Sequence, residues 1–283
     1  MMLSAGDEIV VWGHVLNKAD LSQDECIYLS QLPARLPSVA WMWTEMNSIW
    51  QAYGLNNRKP LQGQAINLFY QHPVWLANGL FTMLDNESAR HRNALAGYLA
   101  DQSISRIADF GGGFGELAIA VSRKLPGGLI DVIEPYPREC ALKRAASYPG
   151  IQFVADLGED YDAVIAQDVL EHVEDPVGLA FRLAMAARAG GYVIFANCFY
   201  PVIACHLPAT FYLRHTFQWV MRQMGLQFLG TIKDAPHVQI FRKRGPIDLD
   251  QARQAEKTAR RIGGVINPPL RAFAKLRRMA AGQ

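Results

Sequence analysis

The sequence predicts a doubly wound α/β fold: a mostly parallel sheet covered by helices on both faces and ending in an antiparallel hairpin. A helical region precedes it and basic helices follow it. Three observations lead there. Between about residues 104 and 243, short β-rich runs alternate with helical patterns. Most of these runs are continuously apolar, as strands buried on both faces are. The last two, LQFLGTI and HVQIFRK, are separated by too few residues for a helical crossover, so they pair antiparallel at a sheet edge.

Three regions divide the chain: 1–103, a helical lid and acceptor region; 104–243, the sheet-bearing domain; and 244–283, a basic helical tail. In the first, Ser38 caps a helix on which Met42, Met46, Ile49 and Tyr53 recur at helical spacing before Gly54 ends it. NLFYQHPVWLANGLF reads as two apolar helices broken at Pro73, since a residue before proline avoids helical geometry. A further helix runs from Asn86 to Leu99. In the second region, RIADF, LIDVIEP, IQFVA, DAVIAQ and GGYVIFAN are strands, and GELAIAVSRKL is a helix closed by Pro126, Gly127 and Gly128. In the third, DLDQARQAEKTARR is a surface helix with a Glu256–Arg260 pair, and LRAFAKLRRMAAG is a basic amphipathic segment.

Composition narrows the function. Half of the 283 residues are apolar and 19% are charged, the balance of an ordinary globular protein. The N-terminus lacks a basic leader pattern, and the longest apolar run, Tyr192 to Leu207, is interrupted by Asn197 and Pro201. Cys26, Cys140, Cys198 and Cys205 form no C-x-x-C pair or zinc spacing, which suits free thiols in a cytoplasmic protein. The net charge is +2, but the chain from Arg242 onward carries a surplus of eight positive charges, leaving about −6 elsewhere. An acidic body argues against general nucleic-acid binding by the body. The basic tail suits either a solvated segment or peripheral contact with an anionic membrane at its inner face.

The chemistry concentrates in ADFGGGFGELA. Gly113, Gly115 and Ala118 satisfy the dinucleotide pattern G-x-G-x-x-A, while Asp109, Gly111, Gly113 and Gly115 satisfy D-x-G-x-G-x-G. Charge separates the two. A dinucleotide presents a pyrophosphate to such a turn, and a carboxylate at the strand end opposes it. S-adenosylmethionine presents an ammonium and a sulfonium, which Asp109 suits. Glu134 closes the next strand and serves the ribose hydroxyls of either cofactor.

Together with DVIEPYP, VADL, AQDVLEHVEDP and AGGYVIFAN, this stretch resembles the class I S-adenosylmethionine-dependent methyltransferases over roughly residues 60–243. The resemblance implies a seven-stranded sheet with its last strand reversed. It places Asp109, Gly111, Gly113 and Gly115 around the methionine moiety and Glu134 on the ribose. Asp156 and Leu157 fall at the adenine edge and face, and Asp168 and Val169 beside the sulfonium. The loop L-E-H-V-x-D-P offers His172 and Glu171 near the reactive end, where a histidine titrating near neutrality suits a general base. Asp168, Glu171 and His172 also resemble the E-x-x-E-H metal motif of some O-methyltransferases. The first acid is shorter, however, and Asp175 stands where a second histidine would, so no metal is assigned. CHLPATFYLRH supplies His206, a further catalytic candidate, with Tyr212, Arg214 and His215 as an acceptor wall. Tyr70, His72 and Trp75 are candidates for a lid.

The expected function is methyl transfer from S-adenosylmethionine to a small-molecule acceptor, such as a hydroxyl of a sugar precursor or secondary metabolite. RNA 2′-O-methylation, a cofactor-binding protein without turnover and NAD-dependent oxidoreduction are the alternatives.

Overall fold

The computed structural model describes residues 7–61 and 63–263. The chain opens with a hairpin, β1 (Glu8–Val11) and β2 (His14–Asn17). Its two turn residues, Trp12 and Gly13, have φ of 50° and 93°, as a tight two-residue turn requires. The expectation of a wholly helical first region missed this hairpin because Trp is an unusual residue for a left-handed turn position.

The helices that follow are α1 (Gln23–Ser30), α2 (Val39–Ala52), α3 (Gln64–Gln71), α4 (Val74–Leu84) and α5 (Asn86–Ala100). Ser38 caps α2 by accepting the Trp41 amide. Met42 and Met46 are buried and Ile49 and Tyr53 half-buried; Trp50, outside the expected stripe, is buried as well. The α3–α4 break falls at Pro73, where His72 is extended with ψ 142°.

The main sheet is built from β3 (Arg106–Phe110), β4 (Leu129–Ile133), β5 (Ile151–Val154), β6 (Tyr161–Gln167), β7 (Ala187–Ala196), β8 (Leu226–Ile232) and β9 (Ala235–Lys243). Their order is β5-β4-β3-β6-β7-β9-β8, parallel as far as β7, with β9 antiparallel to both its neighbours. The crossover helices are α6 (Glu116–Lys124), α7 (Glu139–Ala145), α8 (Pro176–Ala186) and α9 (Phe217–Gln223). One face packs Leu95, Leu99, Leu117 and Val121 against Ile107 and Ile165. The other packs Leu183, Phe217 and Met221 against Val164, Val193 and Phe195. Helices therefore cover both faces, which is why the central strands read as unbroken apolar runs.

A last helix, α10 (249–263), does more than lie on the surface. Ala252, Ala255 and Ala259 are buried in the second core face. Buried Glu256 accepts hydrogen bonds from Tyr212 Oη (2.5 Å), Arg253 (2.8 Å) and Arg260 (2.8 Å). A stripe of alanines is too faint to read as a docking face in the sequence. The basic segment at 270–282 lies outside the described residues. Among those described, no helix is long and apolar enough to cross a membrane.

Arg138 ties the N-terminal helices to the sheet domain. It pairs with Glu25 at 3.0 Å and donates to the carbonyls of Tyr70, Gln71 and His72, at 3.3, 2.9 and 3.0 Å. A guanidinium at the end of α3 meets carbonyls that lack helical partners and the negative end of the helix dipole.

Candidate functional site

The site forms where the carboxyl ends of β3, β4 and β6 meet α4 and α5. This is the position at which doubly wound sheets bind ligands. A cavity of about 560 Å³ opens there, within the size range of small-molecule sites.

The glycine turn is its floor. Gly111, Gly113 and Gly115 have φ of 73°, 52° and 73°, a region open to glycine at little cost. A Cβ on Gly111 would stand 2.5 Å from Val169 Cγ2, and one on Gly112 2.7 Å from Asp109 Oδ2. The turn thus requires glycine for both conformation and close approach. Phe114 packs back against α4, where a Cβ on Gly79 would stand 2.4 Å from its ring.

Asp109 is buried and lines the cavity, and its Oδ2 has no hydrogen-bond partner. Burial, with Glu134 adding to it, pushes its carboxyl up to about 7. An unpaired buried carboxylate oxygen is a costly feature. A cationic ligand would relieve that cost. Glu134 also lines the cavity, accepting the amides of Gly113 (3.0 Å) and Tyr136 (3.1 Å). A carboxylate has about four lone-pair sites, so it retains acceptors for ribose hydroxyls. These groups fit the ammonium and ribose of S-adenosylmethionine.

Asp168 and Val169 line the same cavity. Asp168 has a left-handed φ of 53°, and its amide donates to Ala196 O at 2.7 Å. Its side chain is exposed and borders the cavity, and desolvation raises its carboxyl above the ordinary range. Asp156 is exposed and Leu157 half-buried, and neither borders the cavity, nor does Gly115.

Of the three catalytic candidates, only His172 borders the cavity. Burial, helped by His206, holds its imidazole down at about 3, and its buried Nδ1 has no partner. Such a ring stays neutral at physiological pH and makes a weak proton acceptor. Glu171 and His206 are buried behind the wall. The proposed acceptor wall turns inward too. Tyr212 bonds Glu256, Arg214 lies over the Tyr200 ring at 4.7 Å, and neither these nor His215 reach the cavity. Of the lid candidates, Tyr70 and Trp75 line the cavity, their rings 5.2 Å apart. His72 instead caps α4, its Nδ1 accepting the Val74 amide at 3.0 Å.

Arg92, Tyr136, Arg138 and Arg182 also line the cavity and were missed in the sequence. Tyr136 and Arg138 follow Glu134 directly, an adjacency that was the available signal. Arg92 and Arg182 had none, because tertiary packing alone brings their helices to the site.

Comparison with known proteins agrees with this geometry. A family model described as a methyltransferase domain matches residues 83–244. No curated protein matches the chain in sequence. A candidate O-methyltransferase from Nostoc punctiforme PCC 73102 shares 19% identity over 79% of this chain and 78% of its own, with a TM-score of 0.53. An O-methyltransferase family protein from Burkholderia thailandensis shares 15% identity over 85% and 80%, with a TM-score of 0.51.

Proposed function

The chain belongs to the methyltransferase-domain family and is an S-adenosylmethionine-dependent methyltransferase, and from that premise we propose that it methylates a hydroxyl of a small-molecule acceptor held in the 560 Å³ cavity. The observation that carries the reading is the single cavity shared by the glycine turn, Asp168 and the aromatic pair Tyr70 and Trp75. Cofactor and acceptor then meet inside one enclosure, with water restricted at the reacting end.

When bound, the cofactor supplies a methyl group activated by its sulfonium. Asp109 would hold the ammonium, Glu134 the ribose hydroxyls, and Gly111 and Gly113 the methionine backbone. Asp168 is the group for the acceptor proton. Among the described residues, four acids line the cavity: Asp109, Glu116, Glu134 and Asp168. The first and third are committed to the cofactor, and Glu116 is paired with Arg144. Asp168 remains, open to the space the acceptor enters. Tyr70 and Trp75 offer flat apolar faces to the acceptor body.

Calorimetry of the full chain with S-adenosylmethionine and NAD comes first, followed by S-adenosylhomocysteine release across hydroxylated small molecules and RNA. The expected result is one S-adenosylmethionine site and turnover with a small hydroxylated acceptor. NAD binding alone, or turnover confined to RNA, overturns the proposal.

A further inference from the structure

Behind the cavity wall, the turn after β6 meets the segment after β7. One donor atom each from Glu171, Cys198 and His206 lies within 4.8 Å of the other two. Glu171 is fully buried. Its Oε1 accepts the Cys198 amide at 2.6 Å, while Oε2 has no partner, and among the described residues no lysine or arginine pairs with it. Buried carboxylates are ordinarily paired or coordinate metals. We propose that Glu171, Cys198 and His206 form a zinc-type divalent-cation site that pins the segment 198–206 to the turn 168–172.

The donor set points to the metal class. Thiolate and imidazole select zinc-like ions over magnesium or calcium, and three protein ligands leave one position of a tetrahedron for water. His206 is held in place by backbone partners. Its Nδ1 lies 2.9 Å from Tyr200 O and the ring also bonds the Cys198 backbone, and the tautomer protonated at Nδ1 keeps its lone pair on Nε2. A carbonyl partner of this kind commonly fixes a metal-bound histidine. The surrounding backbone is held independently. Leu207 N donates to Glu171 O at 2.9 Å, and Asn57 Nδ2 to Ala204 O and His206 O at 2.6 and 3.2 Å. On binding, the Cys198 thiol releases its proton to buffer and the thiolate sulfur bonds the cation. This set differs from the Asp168, Glu171 and His172 pattern in the sequence. Two of its three ligands come from the segment after β7, and His172 bonds the Cys205 backbone and packs edge-on against His206, with ring centroids 4.8 Å apart.

The test uses the full chain, reduced and stripped with chelator, and titrated with Co²⁺ while its absorption is followed. One Co²⁺ per chain is expected, with a thiolate-to-cobalt band in the near ultraviolet and tetrahedral bands in the visible, all displaced by Zn²⁺. Cys198→Ser loses the near-ultraviolet band, His206→Gln weakens binding about tenfold or more, and Cys140→Ser keeps both features. Absence of the band in the wild-type chain overturns the site even if a variant fails to fold. So does a band that survives in Cys198→Ser. No methyl acceptor enters the measurement, so its outcome is separate from that of the proposed function.

Discussion

Glu134 Oε2 accepts a hydrogen bond from the Gly113 amide at 3.0 Å, so the acid ending β4 and the turn after β3 form one unit. The other oxygen holds the Tyr136 amide. This carboxylate orders the floor of the cavity and, on the proposed reading, takes the ribose. Glu134→Gln keeps the shape but replaces one acceptor with a donor facing an amide donor. Hydrogen bonds to charged groups contribute about 1.5–3 kcal/mol, so calorimetry should give S-adenosylmethionine affinity roughly ten- to a hundredfold weaker. Unchanged affinity would remove Glu134 from the cofactor site.

Asp109 sets a pH dependence whose sign can be worked out. Its carboxyl is raised to about 7 by burial and then by Glu134. Stability from the neutral acid is therefore complete below the ordinary carboxylate range and is lost as pH rises through about 7. Cofactor binding runs the other way, because the ionised form attracts the ammonium. Affinity for S-adenosylmethionine should fall as pH drops below about 7. Asp109→Asn should bind poorly at every pH and lack the wild type's decline in melting temperature between pH 5 and 8. A variant that retains that decline would place its origin in another group.

Gly79 and Phe114 are packed too closely for any larger residue on α4. Alanine would gain about 1 kcal/mol of helix propensity, but its Cβ would sit 2.4 Å from the Phe114 ring. Overpacking of this kind costs about 1–3 kcal/mol, and the ring borders the cavity. Gly79→Ala should lower the denaturation midpoint and weaken cofactor binding together. A stabilised variant would mean that Phe114 has free space to move.

The sheet was legible because its strands are buried on both faces and announce themselves as apolar runs. The reversed β9 was legible from the shortness of the link after Ile232. Asp109, Glu134, Gly111 and Gly113 were legible as cavity-lining positions because local chain geometry fixes them at strand ends. The fate of CHLPATFYLRH was not. Nothing local distinguishes a polar residue facing a cavity from one whose partner lies elsewhere in the chain, as Tyr212 and Glu256 do. The same limit applies to His172. Its type and position suggested a base, and the burial beside His206 that lowers its imidazole has no signal in the sequence.

Arg138 joins α1 and the end of α3 to the sheet through Glu25 and three carbonyls. Arg138→Met keeps much of the side-chain bulk and removes every donor, leaving Glu25, only 8% exposed, without its cation. Breaking such a pair leaves a buried charge and costs up to about 3–5 kcal/mol. Hydrogen exchange should quicken in α1 and α3 while β3 and β6 stay protected. Uniform loss of protection would make Arg138 a general core contact rather than a tie between the two parts.

Asp168 and His172 separate the two readings of proton removal. Asp168 opens onto the cavity, whereas burial lowers the His172 imidazole and leaves its Nδ1 unpartnered. General-base catalysis contributes about 10²–10⁴-fold. With an acceptor in hand, Asp168→Asn should lower kcat by that order and leave KM for the acceptor within a few fold. His172→Gln should change kcat by less than about tenfold, since it removes packing rather than a base. Single-turnover methyl transfer read by S-adenosylhomocysteine formation isolates the chemical step from product release. A large loss in His172→Gln with near-normal Asp168→Asn would return the base to the histidine. Equal small losses in both would mean that the acceptor needs no protein base, as a nitrogen acceptor already carrying a lone pair would not.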